Sequence, residues 1–294
     1  MKIQSLIILI LLLFLITVLS AQDSLQWTKT FPDAIDKAKT DDKIIMLNFS
    51  SEGCSWCTKL YETTFRDSNA INFLNENIIP TAINSSLQEN KSIINYYRVR
   101  GFPTTIFINP DSSEIDRIIG YLPSEEFIKK ANFILNNRYY FKNLINETEL
   151  YPDSIDIHKE LAEIYKRRGD YDKAEEIYYS IFKMIQKSIP EDSLILEIPE
   201  IQAEIAMLYY KRYQYTNTLE RLIKIENEYP DYLNKNMILF NQALCLYRLN
   251  NFLKATNTLQ KIINDFPKSS IKEDAEEFIK YLSTKTEEEN LEKK

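Results

Sequence analysis

The apolar pattern of this 294-residue chain changes period after about Asn136, and that change limits its fold more than any other feature. From Leu25 to about Asn136, short β-rich runs alternate with segments of helical spacing; from about Ile155 onward only helical periodicity remains. Lys43 to Ser50 (KIIMLNFS) and Thr104 to Asn109 (TTIFIN) read as strands buried on both faces of a sheet. Weaker strands are expected at Ile78 to Asn84 and, after a turn at Asn109–Asp111, at Glu114 to Gly120. Helices are expected over Pro32 to Thr40, after Cys54, and over Ser68 to Asn77, Lys91 to Tyr97 and Pro123 to Asn136. The last opens with Pro123, Ser124 and two glutamates, which suit a helix start. The order strand, helix, strand, helix, strand, helix, strand, strand, helix specifies an α/β domain with a mixed sheet. The length leaves room for a second domain of ordinary size.

That second domain carries internal repeats. Glu160 to Tyr178 places Ala162, Tyr165, Gly169, Ala174 and Tyr178 at spacings at which two antiparallel helices meet through small and aromatic residues. The stretch resembles a tetratricopeptide repeat. A second unit puts Ala206, Tyr209, Leu222 and Pro230 in the same frame, with Thr218 where alanine is usual. A third puts Ala243, Leu246, Ala255, Leu259 and Pro267 there. Ala162, Ala206 and Ala243 lie further apart than the family's period of about 34 residues, so the connections are lengthened, first by an insertion at Lys187 to Pro199. Arg138 to Leu150 is expected to form a capping or joining helix, and the charged end TEEENLEKK to fray into solvent. The resulting division is a leader at 1–21, an α/β domain at 22–137, a linker or capping helix at 138–154, about three repeats at 155–284 and a tail at 285–294.

The leader has Lys2, an apolar run from Leu6 to Leu19, and then Ser20 and Ala21, which fits an export signal with a small residue at the cleavage site. The alternative is an uncleaved anchor, and only then is a membrane a partner. Cleavage leaves a soluble chain outside the cytoplasm, with the bacterial periplasm the expected compartment. The net charge of −7, with no basic stripe, argues against nucleic acid. Three cysteines in an exported chain cannot all pair, so this is not a disulfide-stapled scaffold.

Two of those cysteines carry the chemistry. In FSSEGCSWCTKLYETTF, Cys54 follows a buried strand and opens a helix, where unpaired backbone N–H groups and the helix dipole stabilise a thiolate. Cys57, one turn on, can reach back and resolve a mixed disulfide, so Cys54 is the attacking thiol and Cys57 the resolving one. The spacing alone also allows half a zinc site or a static disulfide. Zinc needs two more ligands, and the chain offers only Cys245 and His158, both in the repeats. Cys245, in the apolar ALCLY, reads as a buried small hydrophobe.

A second motif lies about fifty residues downstream. VRGFPTTIFI (Val99 to Ile108) sets Pro103 immediately before a strand, after Gly101 and Phe102. Alone, Pro103 is an ordinary turn proline. With the CxxC pair and the strand order, residues 25–136 resemble the thioredoxin superfamily, nearest to its exported GCxWC members, with Leu60 and Phe65 at fitting positions. The resemblance implies a cis Phe102–Pro103 bond and Phe102 backbone groups that pair with a substrate strand beside the sulfur. It implies no cofactor beyond the cysteine pair. Trp56 is expected to flank the sulfurs as an apolar wall and substrate contact, the alternative being a core aromatic. Where that family carries a buried acid, this chain has Asn48, so the resolving thiol must lose its proton to water or to Glu52 or Lys59.

The function expected is an exported thiol-disulfide oxidoreductase acting on client proteins with cysteines, in a reductase or isomerase direction. An upstream redox partner restores the pair, and a protein or peptide docks on the repeats. The alternative is a non-catalytic scaffold or adaptor that uses both domains for protein binding.

Overall fold

A computed structural model describes residues 24–188 and 197–292. The leader at 1–21 and most of the Lys187–Pro199 insertion lie outside the described residues. The chain divides into two compact units, the first running to Ile145 and including Arg167–Gly169, the second holding the rest. Among the described residues no helix is long and apolar enough to cross a membrane.

The first unit contains α1 (Phe31–Asp41), β1 (Ile44–Ser50), α2 (Ser55–Glu62), α3 (Ser68–Asn77), β2 (Ile78–Asn84), α4 (Lys91–Tyr96), β3 (Thr104–Ile108), β4 (Glu114–Ile119) and α5 (Ser124–Asn136). The break between the units falls inside α6 (Tyr140–Leu150). The four strands form one mixed sheet in the order β2-β1-β3-β4, with β1 parallel to β2 and the other pairs antiparallel. All four strands stand where the sequence predicts them.

Among the described residues, the leading strand of the expected order does not form. The residues before α1 make only an isolated parallel bridge, Thr28 to Thr81, in place of the leading strand. Two residues later Thr30 turns the chain by capping α1, its hydroxyl accepting from the Asp33 amide at 3.2 Å.

Period-2 alternation along β1 decides what lies on each side. Ile44 and Met46 face a core with Leu60 of α2, Leu74 of α3 and Phe127 of α5. Ile45, Leu47 and Phe49 face a second core with Ala34 and Ala38 of α1 and Tyr97 beyond α4. Each aliphatic side chain fully buried here contributes about 1.5–3 kcal/mol relative to exposure. The buried Arg117 on β4 is satisfied, donating to both Glu114 carboxylate oxygens at 2.7 and 2.6 Å and to the Tyr97 carbonyl at 2.8 Å.

The second unit is a run of helices: α7 (Ile155–Arg167), α8 (Tyr171–Ser188), α9 (Glu197–Lys211), α10 (Tyr215–Glu228), α11 (Lys235–Arg248), α12 (Phe252–Asp265) and α13 (Lys272–Glu292). Ala162, Ala174, Ala206, Ala243 and Ala255 are fully buried in its cores, where they let neighbouring helices approach. Thr218 fits the alanine position because its hydroxyl donates to the Gln214 carbonyl one turn back, at 2.9 Å. The turn between paired helices takes a left-handed residue at the same frame position in each repeat: Gly169 (φ 75°), Tyr213 (φ 63°) and Asn250 (φ 56°). Helix α13 continues to Glu292, into the expected tail, because neither Gly nor Pro interrupts Lys272–Glu292.

Candidate functional site

Strand pairing builds the site. Because β1 and β3 run antiparallel, with Phe49 opposite Thr104, the loop leaving β1 and the loop entering β3 emerge at one sheet edge. The first loop carries Cys54 and the second carries Phe102 and Pro103. The Phe102–Pro103 bond is cis. The far end of β4 joins the same edge, since the Gly120 amide donates to the Pro103 carbonyl at 2.8 Å.

Gly53 precedes the pair at φ 71°, a left-handed conformation that lets the chain turn from β1 into α2. Cys54 is the N-cap of α2, and its Sγ accepts from the Cys57 amide at 3.1 Å. The two sulfurs are joined at 2.04 Å, with the Cα atoms 5.2 Å apart. Cys54 is half-buried while Cys57 is buried, so of the two sulfurs the first is the more accessible.

Trp56 projects outward and is 55% exposed, which rules out a core role. The structure puts it 5.8 Å from the ring of Tyr121, in the segment after β4. The Lys59 ammonium lies over both rings, 4.9 Å from the centroid of Trp56 and 4.6 Å from that of Tyr121. Glu52 is exposed, and its backbone amide donates to the Ser86 hydroxyl at 3.2 Å. Pro103 is buried and Phe102 half-buried against the α1–α4 core. Among the described residues, no hydrogen bond reaches either backbone group of Phe102.

Asn48 is fully buried and takes part in a neutral network. Its Oδ1 accepts from the Thr105 hydroxyl at 3.0 Å, and its Nδ2 donates to the Tyr61 hydroxyl at 3.0 Å. Burial pushes the Tyr61 phenol above its ordinary range, against the opposing hydrogen bonds from Asn48 and Ser50. Tyr61, Thr105 and Tyr121 are site neighbours that the sequence reading missed. Tyr61 follows Cys57 by one helical turn, and the β3–β4 hairpin returns Tyr121 to the level of Pro103, so phase and register were the available signals.

Parts of this chain are similar to known proteins. The sequence model of a thioredoxin-like domain matches residues 31–135, and that of a tetratricopeptide repeat matches residues 238–269. The disulfide bond reductase DsbH of Chlamydia pneumoniae is 26% identical over a stretch covering 35% of this chain and 67% of that protein. The uncharacterized protein B0495.5 of Caenorhabditis elegans is 23% identical, over 57% of this chain but only 24% of its own length. A thioredoxin from Thermus thermophilus aligns in structure with a TM-score of 0.37 and 25% identity, covering 39% of this chain and 90% of that one. Sheet order and matched span together make residues 31–135 a thioredoxin-like domain, followed by helices that include a tetratricopeptide repeat at residues 238–269.

Proposed function

We propose that the protein is an exported thiol-disulfide oxidoreductase that reduces or isomerises disulfides in client proteins. The observation that carries this reading is the convergence, at one sheet edge, of the Cys54–Cys57 pair with the Phe102–Pro103 loop. In the reductive direction, the Cys54 thiolate attacks one sulfur of a client disulfide, forming a mixed disulfide and releasing the other client sulfur as a thiolate. The Cys57 thiolate then attacks the Cys54 sulfur, closing the intramolecular disulfide and releasing the second client thiol. Two electrons pass from the pair to the client, and an upstream dithiol partner returns them.

The N-cap position suits Cys54 to the first step. An amide already directed at its sulfur, backed by the positive end of α2, favours the thiolate. The free backbone groups of Phe102 offer a client strand its hydrogen bonds, and the exposed Trp56 offers an apolar wall. Resolution needs a proton to leave Cys57. With Asn48 neutral, that proton goes to water or to Glu52; Lys59, held over two rings as a cation, is the poorer acceptor.

Export is supported by the apolar run from Leu6 to Leu19, and membrane attachment follows only if that leader stays in place. The reductase name of the Chlamydia relative favours electron flow toward the client. The repeats supply a docking surface for a protein or peptide, which gives an exported reductant its selectivity.

Trapping tests the scheme. A Cys57→Ser variant retains the attacking thiol and loses the resolving one, so clients accumulate as mixed disulfides through Cys54. Their absence from the variant, with Cys54 free and reduced, removes the mechanism.

A further inference from the structure

One cluster at the rim of the cysteine pair takes no part in the exchange itself. Trp56 comes from α2, and Tyr121 from the segment after β4 that the Gly120–Pro103 hydrogen bond ties to the substrate-side loop. Thr63 links Tyr121 to Lys59, its hydroxyl donating to the Lys59 carbonyl at 2.7 Å and lying 3.3 Å from the Tyr121 hydroxyl. Backbone and ammonium of Lys59 are thus both referred to Tyr121.

Among the described residues, the charge of Lys59 has no counter-ion. Its ammonium lies over two ring faces, and no ion pair among the described residues includes it. Glu52 and Glu62, the nearest carboxylates along the chain, are exposed and do not pair with it. A lysine ammonium has three donors, and ring faces satisfy it electrostatically without occupying them as a carboxylate does. Trp56 and Lys59 stand on the helix that Cys54 caps, one between the cysteines and the other two residues after Cys57, and the Phe102 loop emerges at the same sheet edge, so an apolar wall, a cation with donors to spare and a peptide backbone without hydrogen bonds share the end of the domain that carries the sulfur pair.

Resting on the redox reading above, we infer that Lys59, presented by Trp56 and Tyr121, selects client segments that carry a carboxylate beside the disulfide. An Asp or Glu flanking the client cysteine meets the ammonium, while a Lys or Arg there meets like charge. Lys59 is a specificity residue in this account, since it contacts the flanking side chain and not the reacting sulfurs.

Two synthetic peptides test the inference, each with one intramolecular disulfide and identical except for Asp or Lys beside the cysteines. Partly exposed ion pairs set the scale, so wild-type kcat/KM favours the Asp peptide by about two- to fivefold at low salt, and added salt erodes the preference. Lys59→Gln abolishes the preference and Lys59→Arg keeps it. Equal rates with wild type, or a preference unchanged in Lys59→Gln, overturn the inference. Peptide affinity for the Cys54→Ser/Cys57→Ser protein separates the two claims. Turnover without charge preference removes the selectivity claim alone, and charge-selective binding without turnover of either peptide removes the redox reading alone.

Discussion

Replacing Asn48 by aspartate restores the acid that related domains carry and asks how dry the floor of the site is. Asn48 is fully buried beneath α2, so a carboxylate there loses nearly all its water. Full burial raises a carboxyl by as much as about 3–5 units. The hydroxyls of Thr105 and Tyr61, both already bonded to the Asn48 amide, can donate to the new carboxylate and hold the rise near the lower end. Three units above the unfolded value of about 3.9 corresponds to roughly 4 kcal/mol. The folded-state pKa is raised, so the sign is fixed. Below about pH 4 both states are protonated and Asn48→Asp is close to wild type in stability; the loss then grows with pH and is complete near pH 8. Both tryptophans of the chain, Trp27 and Trp56, belong to the first unit, so tryptophan fluorescence reports its urea unfolding without interference from the repeats. Oxidised full-length proteins compared at pH 4, 6 and 8 give the curve. A deficit independent of pH over that range refutes a dry, neutral site. In the reduced proteins the same substitution changes the thiol pKa values and turnover, and unchanged values of both refute a tuning role for Asn48.

Other consequences concern the repeats and the third cysteine. Tyr213 occupies the left-handed turn position that Gly169 and Asn250 fill in the other repeats, so Tyr213→Gly removes a strain of about 1–2 kcal/mol, more than the roughly 0.4–1 kcal/mol that glycine adds in unfolded-chain entropy, and slightly raises the melting temperature of the second unit. A lowered melting temperature contradicts that account of the turn. Burial pushes the Cys245 thiol up to about 12, so at pH 8 it is protonated as well as enclosed. Iodoacetamide then labels no site in the native oxidised protein and one site after denaturation, whereas rapid native labelling shows that Cys245 is accessible.

The sequence displays the strands plainly because each is a short apolar run buried on both faces. Cys54 and Pro103 are legible for a related reason: one follows and the other precedes such a run, and the antiparallel pairing of β1 with β3 brings them to one edge. The partners of Asn48 depend on finer information. Thr105 reaches it only because the register sets Asn48 opposite Thr105, and Tyr61 only because α2 repeats every turn from Cys57. Neither register nor helix phase is written in composition. The Trp56–Tyr121 contact is hidden similarly, since it joins residues far apart in sequence and depends on the pairing of β1 with β3 as well as on the β3–β4 hairpin. Among the described residues the expected leading strand is reduced to the single Thr28–Thr81 bridge, two residues before Thr30 caps the first helix.

The central claim is that the Cys54–Cys57 pair performs disulfide exchange, and reduction of insulin by the mature, dithiol-primed protein tests it most directly. Wild type is predicted to precipitate insulin B chain well above the dithiol background, and Cys54→Ser to fall to that background. Equal activity in both proteins contradicts the claim and returns the thioredoxin-like domain to the role of a binding platform.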